Sequence, residues 1–335
     1  MIFAIRADAG VVQGTGHVMR CLSLAEKLLQ KGHRVGLFTN SSEIAWLESA
    51  ISASEVEVFR VTADELSTDQ LAGFPADWLI VDSYQIPAEQ ISAVNQELRV
   101  LAIVDGDARG ITASAYLDTN LFSEKLAWPA EVEAKLLAGS RFALVRDGVL
   151  EHKRAHPELI VGNPPKVLVF LGGSDPYGFS PLLAEALSLV EAQFEATFIA
   201  PDSSHAAIQN ALGANAHKIS VIGLTPKLTE YYEGVDVVIS AAGTSAWDVC
   251  SLGVPALLLS VVDNQEFSLN QIAEHGLTLT NNLSGAGNEK AAELAAQISS
   301  LLTDQKLRSE LSAQALKYFD GLGRDRVEEF LKNAK

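Results

Sequence analysis

What most constrains this chain is a repeated alternation along its length: short apolar runs rich in β-branched residues, each followed by a stretch with helical, amphipathic spacing. The runs fall at 2–6, 34–38, 56–61, 78–82 and 100–105 in the first half, and at 166–171, 196–200, 218–222, 235–240 and 256–260 in the second. A parallel strand covered on both faces reads as a continuous apolar run, and it reaches its parallel neighbour through a crossover helix. The alternation therefore predicts βαβ units and parallel sheets. From 288 onward the sequence is helix-forming.

The pattern lapses once, where Glu151, His152, Lys153, Arg154, His156 and Pro157 precede Gly162-Asn163-Pro164-Pro165. Charges, prolines and a glycine without apolar periodicity read as a connecting segment. At 335 residues the chain also exceeds the usual single-domain size of about 100 to 200 residues. We expect an α/β protein of two Rossmann-like, doubly wound domains: 1–150, a linker at 151–165, and 166–335 with the C-terminal helices. Such sheets bind ligands at the carboxyl ends of their strands, so the expected ligand position is a central cleft, with functional groups in strand-to-helix loops.

Charge and length exclude several classes. A formal net charge of -17 disfavours nucleic acid or an anionic membrane as partner, since phosphate-binding surfaces need clustered Lys and Arg. Any phosphate must be held locally. Met1-Ile2-Phe3-Ala4-Ile5 followed by Arg6 and Asp8 lacks the basic and long apolar regions of a signal peptide. No segment approaches the roughly 18 apolar residues of a membrane span. A cytoplasmic protein is expected. The two cysteines, Cys21 and Cys250, lie in helix-like apolar patterns and are expected to be buried free thiols.

The first strand-to-helix loop carries Gly14-Thr15-Gly16-His17-Val18-Met19-Arg20, ahead of a helix whose apolar face includes Leu22, Leu24, Ala25 and Leu28. Small residues let backbone amides approach an anion, and a helix N-terminus adds partial positive charge. His17, in the first turn beside such a niche, is placed to accept a proton near neutral pH; the same position also suits a capping or packing histidine. Gly172-Gly173-Ser174-Asp175-Pro176 follows the strand at 166–171, and fits either a phosphate loop or a plain N-capped helix entry. Gly243-Thr244-Ser245-Ala246-Trp247-Asp248 repeats the arrangement with hydroxyls and amides suited to a diphosphate. Asp263-Asn264-Gln265 opens a further helix and offers carboxamides for a ribose, a diphosphate or sugar hydroxyls. Asp82-Ser83-Tyr84 and Asp105-Gly106-Asp107 put carboxylates at the ends of strands four and five, where they either face the ligand or cap a helix. His33, His152, His156, His205, His217 and His275 have no partners at ligand spacing, and neither a Gly-X-Ser-X-Gly elbow nor a P-loop lysine motif occurs. No metal or cofactor is called for.

Taken in order, Arg6-Ala7-Asp8, the run from Gly14 to Leu22, Val81-Asp82-Ser83-Tyr84, Gly172 to Pro176, Gly243 to Trp247 and Asp263-Asn264-Gln265 resemble the PseG family, UDP-2,4-diacetamido-2,4,6-trideoxy-β-L-altropyranose hydrolases of pseudaminic acid biosynthesis. The likeness runs from residue 6 to about 270. The first motif is its most specific part, while the later Gly-Gly-Ser-Asp and Asn-Gln elements are shared with MurG-like glycosyltransferases. The resemblance implies a GT-B fold, a UDP-sugar held mainly by the C-terminal domain, and attack of water on the anomeric carbon with inversion and loss of UDP. It also implies His17 as general base, Tyr84 near the sugar, and a substrate contact at Asn264 or Gln265. The sequence departs from the family pattern at Asp248, where a glutamate is usual; at Asp105-Gly106-Asp107, where a paired Asp-Asp is usual; and through 120–146.

Together these readings make His17 and Tyr84 the catalytic candidates. Candidate substrate or UDP contacts are Gly14, Gly16, Arg20, Asp82, Gly172, Gly173, Ser174, Gly243, Thr244, Ser245, Asp248, Asn264 and Gln265. Two other activities fit the same residues: a glycosyltransferase using a UDP-sugar donor, and a sugar-nucleotide-binding protein without catalysis.

Overall fold

The computed structural model describes every residue except 11–13, 42–43, 63, 174, 176, 262–264, 284–288 and 335, with backbone alone at 216, 217 and 267. The chain forms two compact units, Met1–Arg146 together with Gly321–Lys335, and Asp147–Asp320.

The first unit is built on seven strands: β1 (Ile2–Ala7), β2 (Arg34–Thr39), β3 (Glu57–Arg60), β4 (Trp78–Asp82), β5 (Arg99–Ile103), β6 (Ala115–Asp118) and β7 (Leu136–Ala138). All pairings are parallel, in the order β3-β2-β1-β4-β5-β6-β7. Strand β1 lies at the centre, with Ile5 between Leu37 and Ile80. Phe3, Ala4 and Ile5 are fully buried, the signature of a strand covered on both faces. Helix α1 (Gly16–Gln30) buries Val18, Cys21, Leu22, Leu24, Ala25 and Leu28, a stripe at helical spacing. Each such aliphatic side chain taken from water contributes about 1.5–3 kcal/mol.

The second unit carries β8 (Lys166–Phe170), β9 (Glu195–Ile199), β10 (Ile219–Ile222), β11 (Val237–Ala241), β12 (Ala256–Ser260) and β13 (Leu279–Asn282). They pair in parallel in the order β10-β9-β8-β11-β12-β13. In each sheet the strand order reverses at the first strand of the unit, between β1 and β4 and again between β8 and β11. Crossovers leave such a point in opposite directions, so the loops at its carboxyl end are splayed apart and open to a ligand.

Two features differ from the expected domain division. The final helix, Gly323–Asn333, packs on the first unit, with Val327 and Leu331 fully buried in the core that contains α1. Arg324 anchors it, donating to the main-chain oxygen of Ser23 at 3.0 Å and to the Glu26 carboxylate at 2.9 Å. At Gly323 a β-carbon would stand 2.2 Å from the carbonyl oxygen of Ala143, so the chain approaches too closely for any other residue. Burial of an apolar stripe, rather than nearness in sequence, decides which unit owns the helix. The segment expected as a linker is instead fastened to the second unit by Asp236, which is 1% exposed. Its carboxylate accepts from the N–H groups of Val161 at 2.9 Å, Gly162 at 3.2 Å and Lys166 at 2.9 Å, and from Arg154 Nη1 at 3.2 Å. Among the described residues no helix is long and apolar enough to cross a membrane.

Candidate active site

In the first unit the strand-end loops after β1, β4 and β5 converge on the start of α1. His17, Arg20 and Cys21 sit at helix positions i, i+3 and i+4, which share one face. All three touch Asp82, the last residue of β4: His17 Nδ1 lies 3.1 Å from its Oδ1, Arg20 grips both carboxylate oxygens, and Cys21 Sγ is 3.8 Å from Oδ2. His17 Nδ1 is also 3.3 Å from the main-chain oxygen of Asp82. Both neighbours of Nδ1 are acceptors, so that nitrogen carries the proton and the neutral ring holds its lone pair on Nε2. A carboxylate that fixes the tautomer of a histidine in this way prepares it to act as a base.

Arg20 is committed on a second side. Its Nη1 and Nη2 donate to Asp105 at 3.1 and 3.2 Å, so four of its contacts go to two carboxylates. The sequence marks Arg20 and Asp82 as substrate contacts, whereas here the guanidinium is occupied by carboxylates and Asp82 is 1% exposed. The Asp82 carboxylate lies against both Arg20 and His17. Asp105 also accepts from the Tyr84 hydroxyl and from Asn120 Nδ2 at 3.0 Å. Tyr84, 49% exposed, places its ring 5.2 Å from the His17 imidazole.

The electrostatics follow from this wiring. Burial would raise the Asp82 carboxyl, but Arg20 and His17 outweigh it and hold it well below the usual carboxylate range. Burial likewise acts to lower the His17 pKa, but the Asp82 charge and hydrogen bond prevail, helped by Asp105 and opposed by Arg20, and the net value is raised above 6.5. Burial raises Tyr84 and the Asp105 charge adds to it, so the phenol stays a donor. Asp105 is lowered: burial opposes this and Arg20 overrides it.

The glycine loop departs from a simple anion nest. Gly14 has φ +81°, a conformation suited to glycine, and its N–H is bonded to the carbonyl of Gly10 at 2.7 Å. The amides without intrahelical acceptors at this end of α1 are those of Gly16 and the residues just after it.

In the second unit, Gly172 has φ +79° and, among the described residues, no atom within 4 Å of where a β-carbon would stand, while Asp175 folds back to cap the helix Ser180–Ser188, accepting from the N–H groups of Phe179 and Ser180 at 2.9 Å. Ser174 lies outside the described residues, as do Asn264 and Asp263. Gly243, Thr244 and Ser245 lead from β11 into the helix Ser245–Leu252, with Asp248 half-buried in its first turn. Thr244 makes no side-chain cap bond. Gln265 joins this loop to the next: its Oε1 accepts from the N–H of Val261 at 3.0 Å, and its Nε2 would be 3.6 Å from a β-carbon at Gly243. Trp247 stacks on Phe319 with ring centres 5.2 Å apart and serves packing. Cys21 and Cys250 are free and buried, and burial pushes the Cys250 thiol up to about 12. Among the described residues no three His, Cys, Asp or Glu side chains are placed to hold a metal.

Sequence reasoning missed Asn120 and Arg109. The spacing Asp105-Gly106-Asp107-Ala108-Arg109-Gly110 was the available signal: the backbone is left-handed at Gly106, Arg109 and Gly110, which marks a tightly shaped loop at a strand end.

Two Rossmann-like units with all-parallel sheets make this a protein of GT-B fold. Residues 167–322, most of the second unit, match the glycosyltransferase family 28 C-terminal domain. Along the whole chain the sequence is similar to the spore coat polysaccharide biosynthesis protein SpsG of Bacillus subtilis (strain 168), 23% identical over 99% of this chain and 98% of SpsG. Among solved structures it resembles MurG of Acinetobacter baumannii, with a TM-score of 0.71 at 15% identity, covering 99% of each chain. It also resembles MnaA of S. aureus in complex with UDP, with a TM-score of 0.71 at 12% identity, covering 99% of this chain and 96% of that one.

Proposed function

We propose that this chain is a sugar-nucleotide hydrolase that cleaves a UDP-linked 2,4-diacetamido-2,4,6-trideoxy sugar at the anomeric C–O bond. The observation that carries the reading is the His17–Asp82 pair, 3.1 Å apart at the carboxyl end of β4, with Asp82 buried and the basic nitrogen of His17 on the side away from it. Water attacks C1; the C1–O bond to the diphosphate breaks and its electron pair leaves with UDP; the water's proton passes to His17 Nε2. General base catalysis of this kind contributes about 10² to 10⁴ in rate. Asp82 holds the ring and stabilises the imidazolium that forms.

Nucleotide binding we assign to the second unit. Thr244, Ser245 and Gly243 present hydroxyls and amides at a helix start, and Gln265 and Asp248 stand beside them. The match to the glycosyltransferase family 28 C-terminal domain and the UDP held by S. aureus MnaA support that assignment.

The same family match favours a second reading, in which His17 deprotonates an acceptor hydroxyl and the sugar is transferred rather than released. UDP release from the UDP-sugar without any acceptor, run in heavy-oxygen water, separates the two. Steady release with the heavy oxygen appearing at C1 of the sugar is expected for hydrolysis; release only when an acceptor is added would show transfer instead.

A further inference from the structure

Arg109 stands in the loop after β5 with φ 53°, a left-handed backbone that disfavours a side-chain-bearing residue by about 1–2 kcal/mol. The side chain ends in a guanidinium oriented by two neighbours. Its carbon lies 4.6 Å from the centre of the Tyr84 ring, and its Nη1 donates to the main-chain oxygen of Ser83 at 2.9 Å. The Tyr84 ring is also 5.2 Å from His17, which places the guanidinium within about 10 Å of the imidazole. The two arginines of the cluster differ in charge balance. Arg20 is neutralised by Asp82 and Asp105, whereas Arg109 makes no ion pair among the described residues, and its Nε is buried with no partner. Stacking on a tyrosine and one bond to a carbonyl fix the plane of the group without cancelling its charge.

We propose that Arg109 binds an anionic phosphoryl oxygen of the substrate's diphosphate, presented by Tyr84 and the Ser83 carbonyl. The proposal rests on the sugar-nucleotide reading: if His17 delivers water to C1, the phosphoryl group bonded to C1 lies a few ångströms away, and a planar guanidinium is the side chain suited to it.

The test compares the wild type with Arg109→Gln and Arg109→Lys, measuring affinity for UDP and for uridine by calorimetry alongside KM and kcat. Arg109→Gln is expected to weaken UDP binding and raise KM by roughly tenfold, the scale of one charge-assisted hydrogen bond, while uridine binding is unchanged; lysine, which keeps the charge, recovers part of the loss. Equal UDP affinity in the wild type and Arg109→Gln would overturn the proposal. So would a fall in kcat alone, which would mean that Arg109 only holds Tyr84 in place. Absence of UDP release by the wild type, with UDP binding still dependent on Arg109, would sink the hydrolase reading and leave this contact standing.

Discussion

At the residue scale the site is a charge-balanced set. Asp82 and Asp105 bracket Arg20, and the negative charge left over is what favours a proton on His17. Because the His17 pKa in the folded chain lies above its unfolded value, the pairing stabilises the fold below pH 6.5, and this contribution is lost as pH rises through the folded pKa. Catalysis has the opposite sense, since the base must be unprotonated. We therefore expect kcat/KM to rise with pH through an apparent pKa above 6.5 on its acid side. In Asp82→Asn that limb should move to lower pH, because burial and the Arg20 charge then act on His17 without opposition from Asp82; a limb that stays in place would remove Asp82 from the mechanism. That His17, Asp82 and Tyr84 stand near the carboxyl ends of β1 and β4 was legible in the sequence, because each follows or closes an apolar run. The ion pairing of Arg20 was not, since a helix-face arginine reads alike whether it meets a phosphate or two carboxylates 62 and 85 positions away.

At the element scale, ten of the thirteen strands among the described residues could be read from apolar runs: central strands such as β1, β4 and β12 are buried on both faces and leave an uninterrupted record, while the edge strand β3 is largely exposed and shows only as a short run with Val58 and Phe59. The other three are short or polar: β7 is Leu136–Ala138, β13 reads LTNN, and β6 ends in Asp118, whose buried carboxylate accepts from the N–H groups of Gly106 and Asn120 at 2.6 and 2.9 Å. The connecting segment was legible as irregular, but its attachment was not, since Asp236 lies some 70 residues from the amides it binds. Removing that carboxylate leaves buried N–H groups without acceptors, each worth about 1–3 kcal/mol. Asp236→Ala is expected to lower the urea stability of the second unit by about 3 kcal/mol or more. An unchanged unfolding midpoint would mean that the segment is held by other contacts.

At the scale of the whole molecule, the chain closes its first unit with its own C-terminus. Leu331 is fully buried in the core around α1 and β1, so Leu331→Ala should cost about 2–5 kcal/mol and speed hydrogen exchange at the β1 amides; protection equal to the wild type would contradict this packing. The sequence placed 321–335 in the second domain because it is contiguous with it, and nothing in a local pattern records which core a final amphipathic helix joins. In the reading we propose, the second unit supplies most of the nucleotide binding, and the first supplies the base and one phosphoryl contact through Arg109. The most direct measurement is turnover of the UDP-linked sugar by His17→Ala set against its affinity for UDP. Turnover at least about a hundredfold below wild type with UDP affinity preserved is the predicted result; turnover equal to the wild type would contradict the assignment of His17 as the base.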